Sequence, residues 1–121
     1  MPYAYRKSER LKKNRDFLLT MKGKRLSVDG LSLFYKENKT GNYRIGIPIS
    51  KKIAKATKRN RLKRQIRACL SRALKEKKQG YDMVFIARRE LVIAEFEKIS
   101  DVVSKILQQM FNGMHTERKL K

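Results

Sequence analysis

Arg59, Asn60, Lys63, Arg64 and Arg67 stand at a spacing that could do chemistry, and that chemistry is recognition rather than bond making. A guanidinium is a planar fork that matches phosphate oxygens, an ammonium is a point charge, and a carboxamide both donates and accepts. The five lie within residues 51–72, KKIAKATKRNRLKRQIRACLSR, where ten side chains are Lys or Arg and none is acidic. No Asp or Glu occurs between Glu37 and Glu76. A solvated helix face normally mixes signs. A face of one sign carries self-repulsion that a polyanionic partner relieves.

Other chemistries find little to work with. The lone His115 and the lone Cys69 are far apart and make no zinc site. A nucleophile, histidine and carboxylate set would need His115 to fold back from the C-terminal end. Asp16, Asp29 and Asp82 could in principle converge, but their spacing gives no sign of a metal cluster. There is no GxGxxG and no Walker motif. The reading is therefore of a protein with no catalytic residue and no metal site of its own.

The elements that must position the cations follow from periodicity. Leu62, Ile66, Cys69, Leu70 and Ala73 recur at the spacing of one helix face, which predicts a helix over about 57–77, ended by Gln79 and Gly80. At about 100° per residue, Arg59, Lys63 and Arg67 form a row beside that stripe. Asn60 and Arg64 face away from it, and Arg61 and Arg72 lie on the other flank. Before this helix, residues 43–50 alternate: Tyr43, Ile45, Ile47 and Ile49 make one face. Arg44, Gly46, Pro48 and Ser50 make the other, a small bare face that is a candidate groove floor. Pro48 lacks a ladder donor, so pairing should weaken there.

Upstream, residues 1–13 read as a basic, extended arm. A short helix is predicted next, with Asn14 as N-cap, Asp16 in its first turn and Gly23 as its stop. Phe17, Leu18 and Met21 share a face of it. Leu18 is assigned to the core, whereas Phe17 is either core or a stacking surface for a base. Residues 28–35 read as a strand with Phe34 turned away from Leu31 and Leu33, and a short piece at 24–28 merges with it. Residues 36–42, KENKTGN, suit a hairpin loop. Downstream, residues 81–87, YDMVFIA, are apolar on both faces and suit a covered strand beside a parallel neighbour. A last helix is predicted over 94–111 from Phe96, Ile99, Val103, Ile106, Leu107 and Met110, stopped by Asn112 and Gly113, with residues 112–121 as a flexible tail.

The 121 residues fit one domain, and a formal net charge of +21 points first to nucleic acid. Cys69 reads as a small buried hydrophobe, a single cysteine permits no internal disulfide, and no stretch suits a signal peptide or a membrane span. The expected location is the cytoplasm.

The segment RIGIPISKKIAKATKRNRLKRQIR, residues 44–67, resembles the signature of the bacterial ribonuclease P protein subunit. That family has a strand ending in Ser-Lys-Lys, then Ala-Val-x-Arg-Asn-x-x-Lys-Arg-x-x-Arg on a helix. The chain matches at Ser50, Lys51, Lys52, Ala56, Arg59, Asn60, Lys63, Arg64 and Arg67. RLKKNRDF at 10–17 and YDMVFIAR at 81–88 are similar to the flanking segments of the family. Ala54 stands where the family has Gly, Thr57 where it has Val, Met21 where it has a second aromatic, and Pro48 where Ser is usual.

The resemblance implies an α+β single-domain sandwich in the order αβββαβα. Its four-stranded sheet would have an unusual left-handed βαβ crossover, as in the second domain of ribosomal protein S5; physics alone favours the right-handed form. It implies an endoribonuclease component that removes the 5′ leader of precursor tRNA. The catalytic groups and the required Mg²⁺ would belong to an RNA subunit, with no cofactor on the protein and no obligate protein partner. Arg59, Asn60, Lys63, Arg64 and Arg67 would face the catalytic RNA, with Lys51 and Lys52 clamping phosphates at the strand end. Phe17, Phe34 and, with its aromatic replaced, Met21 would hold the single-stranded leader. Two other readings compete. A ribosomal or other structural RNA-binding protein would have no need of aromatics over a bare groove. A helix-turn-helix DNA binder would need a helix where the strand at 43–50 is expected.

Overall fold

The computed structural model describes residues 11, 14–39, 41, 43–74 and 80–120, with side chains through residue 113. Among the described residues, four helices and four strands follow in the order α1 (Asn14–Met21), β1 (Lys24–Val28), β2 (Leu31–Glu37), β3 (Arg44–Gly46), α2 (Ala56–Leu74), β4 (Tyr81–Ala87), α3 (Arg89–Val92) and α4 (Phe96–Leu120). This is the expected α+β order with one short helix, α3, added. The strands form a single sheet in the order β1-β2-β4-β3, antiparallel except for the parallel β3–β4 pair. The β3–α2–β4 unit is thus a crossover between adjacent parallel strands.

Strand registers divide the sheet into two faces. One carries Leu31, Leu33, Tyr35, Ile45, Met83, Phe85 and Ala87, all buried. Onto it pack Leu62, Ile66, Leu70 and Leu74 of α2 and Ile99, Val102, Val103, Ile106 and Met110 of α4. The alternation of Tyr43, Ile45, Ile47 and Ile49 holds as read, and all four are buried. Burial in this core pushes the Tyr43 hydroxyl up to about 12. The β3 ladder ends at Gly46, two residues before Pro48.

Several expectations need correction. Residues 28–35 are not one strand: Asp29 and Gly30 both take positive φ, 41° and 90°, and form a two-residue turn between β1 and β2. Asp-Gly is a strong hairpin signal, but the apolar run around it reads as continuous. Residues 36–42 are not a hairpin loop, because β4 inserts between β2 and β3. Pairing of that kind depends on a strand that begins only at Tyr81, which local pattern does not report. Leu18 is not core but 63% exposed, since α1 turns Phe17 and Thr20 to the sheet instead. On α2 the buried stripe runs on to Leu74; Ala73 is exposed and Cys69 only half-buried. The last helix begins at Phe96 and continues through Asn112 and Gly113 to Leu120. A glycine costs a helix interior about 1 kcal/mol, which does not by itself end it. Of the proposed arm at 1–13 only Leu11 is described; it is buried, and its N–H donates to the Ile45 carbonyl at 3.0 Å. The rest of the arm, and the predicted end of α2 at 75–79, lie outside the described residues.

Candidate nucleic-acid interface

The second sheet face holds the side chains that the core does not take. Read across the strands, one row is Arg25 on β1, Phe34 on β2, Val84 on β4 and Gly46 on β3. The neighbouring rows are Ser27, Ser32 and Ile86 on one side and Lys36, Asp82 and Arg44 on the other. Among the described residues, α1 lies on this face against β2 and β4, and the buried Leu11 approaches it at Gly46.

What brings α1 down is the absence of a side chain. A Cβ built on Gly46 would lie 2.5 and 2.6 Å from ring atoms of Phe17, so the Phe17 ring rests directly on the β3 backbone. Val84 beside it is fully buried, whereas Phe34 and Ile86 are only half-buried. Of the bare face read from Arg44, Gly46, Pro48 and Ser50, Gly46 is where Phe17 is seated, while Pro48 and Ser50 lie beyond the ladder and are exposed. Phe17 and Phe34 thus stand over the same row of one sheet face, which is the candidate trough, and Met21, 40% exposed, stands at the end of α1.

A polar clasp holds the outer wall. Arg44 donates from Nε and Nη2 to the two carboxylate oxygens of Asp82 at 2.8 and 2.7 Å, and its Nη1 reaches Asp16 on α1 at 3.5 Å. Asn38 Nδ2 adds a bond to Asp82 at 2.8 Å. The hydrogen bonds to Asp82 hold the Arg44 guanidinium still more firmly charged, against the smaller opposing effect of burial. Asp16 and Asp82 thus do converge, but on an arginine. Asp29 is elsewhere, 3.5 Å from Lys98 on α4. Among the described residues no three His, Cys, Asp or Glu side chains gather so as to hold a metal ion.

The cationic surface lies on α2. Asn60, Arg61, Arg64 and Arg72 are exposed, and Arg59, Lys63 and Arg67 are half-buried along the edge of the stripe, as the helical row requires. Arg59 Nε is buried with no acceptor among the described residues. Lys51 and Lys52 are exposed in the turn that joins β3 to α2, where the Lys52 N–H is held by Ser50 Oγ at 3.1 Å. They stand between the strand that floors the trough and the helix that carries the cations. Cys69 lines a shallow cleft with Arg72, Phe96 and Ser100. Burial pushes its thiol up, against smaller lowering effects from Ser100 and Arg72, so it is poorly suited to act as a nucleophile. No described helix is long and apolar enough to cross a membrane. The segment before α2 is β3 and its turn, not the helix that a helix-turn-helix needs.

Two features of this face escape a reading of pattern alone. The role of Arg44 as a clasp depends on Asp82, distant in sequence. Arg25 enters only through strand register, although the Asp29–Gly30 turn was a signal for it: a two-residue hairpin there places Arg25 opposite Phe34.

Comparison with known proteins agrees with the geometry. A family model described as Ribonuclease P matches residues 5–110. The ribonuclease P protein component of Thermotoga maritima is 37% identical over 100 residues, covering 82% of this chain and 85% of that protein. That of Pelotomaculum thermopropionicum is 35% identical over 102 residues, covering 82% and 89%. Among solved structures, the Staphylococcus aureus RNase P protein superposes with a TM-score of 0.79 at 29% identity, covering 86% of this chain and 96% of that one. The Thermotoga maritima RNase P protein gives 0.74 at 33%, covering 84% and 96%.

Proposed function

The chain belongs to the ribonuclease P protein family, and from that premise we propose that it binds two RNAs at once: the catalytic RNA of ribonuclease P and the 5′ leader of precursor tRNA. In this reading Arg59, Asn60, Lys63, Arg64 and Arg67, with Lys51 and Lys52, neutralise phosphates of the catalytic RNA. Phe17 and Phe34, with Met21 at the trough end, take the unpaired leader. Cleavage belongs to the RNA and its Mg²⁺; the protein supplies affinity and position, holds no cofactor and needs no protein partner.

The observation that carries the proposal is Phe17 seated on Gly46 in the same row as the half-buried Phe34. Aromatic faces stack on any base, which suits leaders of varied sequence, and the one-signed helix supplies sequence-independent attraction. The wild-type protein should restore 5′ processing by a bacterial ribonuclease P RNA at low Mg²⁺. In that holoenzyme, Phe17→Ala should weaken binding of leader-bearing precursor tRNA about tenfold, since one lost stack is worth about 1–3 kcal/mol. Binding of mature tRNA, which lacks a leader, should not change. Equal losses on both substrates would assign Phe17 to the core alone.

A further inference from the structure

Two arginines stand on the trough face, and the fold treats them differently. Arg44 is spent within the protein: its guanidinium is held by Asp82 and Asp16. Arg25 pairs with no carboxylate among the described residues. Its guanidinium carbon sits 5.6 Å from the centroid of the Phe34 ring, and the residue is exposed on β1, the edge strand of the sheet. The third cation of this face, Lys36, is exposed and is registered opposite Asp82.

We propose that Arg25 is a fourth leader-binding residue, one that clamps the nucleotide resting on Phe34. This rests on the reading of the trough as the leader site and extends it by one strand, out to the sheet edge. A guanidinium against an aromatic ring is planar and weakly hydrated, so it widens the stacking surface that Phe34 offers a base. Its N–H edges stay free for the phosphate of the same nucleotide, a bidentate contact that a lysine makes only as a point charge. Cross-strand pairing holds the arginine there without a tertiary contact: Arg25 and Phe34 are direct partners in the β1–β2 ladder, pinned by the Asp29–Gly30 turn.

The experiment compares leader-bearing precursor tRNA with mature tRNA, each bound by holoenzyme carrying Arg25→Gln, Arg25→Lys or Phe34→Ala, over a range of salt. Arg25→Gln should weaken leader-bearing substrate about fivefold and flatten its log–log salt dependence by about 0.7, the release from one single-strand phosphate, with mature tRNA unaffected. Arg25→Lys should restore the salt slope but not the affinity. A loss after Arg25→Gln that is the same for both substrates, or no loss at all, would overturn the proposal. Arg25→Lys indistinguishable from wild type would overturn the stacked geometry. The Phe34→Ala arm separates the two levels of failure. If it discriminates between the substrates and Arg25→Gln does not, Arg25 alone is misassigned; if Phe34→Ala does not discriminate, the trough reading falls with it.

Discussion

At the scale of single residues, a missing side chain matters as much as any present. Gly46 leaves the β3 backbone open, and the Phe17 ring fills that opening. Gly46→Ala puts a methyl group where the ring edge lies, and the ring cannot be accommodated without moving α1. The variant should lose about 1–3 kcal/mol of stability in chemical denaturation, the usual cost of overpacking. Its preference for leader-bearing over mature tRNA should fall together with that stability. A variant of unchanged stability would mean that α1 yields freely and that Phe17 is not seated by the glycine. The sequence made the bare face legible, because alternation along 43–50 sorts Gly46 from the isoleucines. It did not reveal which α1 residue would occupy the face. Leu18 and Phe17 are neighbours on one helical stripe, and a rotation of α1 by one residue position exchanges them.

At the scale of elements, α1 is a two-turn helix with little apolar area to hold it, its Leu18, Leu19 and Met21 being exposed. The Arg44 clasp compensates by joining α1, β3, β4 and the residue after β2 through Asp16, Asp82 and Asn38. Asp82 is 7% exposed, so removing Arg44 leaves a carboxylate largely cut off from water, with no cation beside it and the Asn38 amide still donating to it. Arg44→Met should therefore lower stability by about 3 kcal/mol, read from the denaturant midpoint. The double variant with Asp82→Asn should recover part of that loss, because the orphaned charge is then gone. A loss that persists undiminished in the double variant would place the effect in packing rather than charge. By contrast the Lys98–Asp29 pair is half-exposed on both sides and should contribute little.

At the scale of the whole molecule, the sheet separates two kinds of surface. One face is covered by α2 and α4 and is the core; the cations of α2 point outward from that layer. The other face carries α1 and the trough. With a formal net charge of +21, long-range attraction to RNA is general, and local contacts are measured by how salt acts on them. Arg64, exposed on the side of α2 away from the core, should act as one phosphate contact. Arg64→Ala should reduce the salt slope of catalytic-RNA binding by about one, with stability unchanged. An unchanged slope would remove Arg64 from the interface.

The sequence alone determined whatever rests on neighbours along the chain: the one-signed helix with its apolar stripe, the two-sided burial of β4, the alternation that turns Gly46 away from the isoleucine face, and the family. Each is a local periodicity or a contiguous motif, and helix and strand geometry translate these without knowledge of the rest. Only the tertiary structure decided that β4 enters between β2 and β3, that Phe17 rather than Leu18 meets the sheet, and that Asp82 claims Arg44 while Arg25 stays open beside Phe34. Those outcomes depend on pairing between strands far apart in the chain, and no periodicity within a segment records which distant segment will lie beside it.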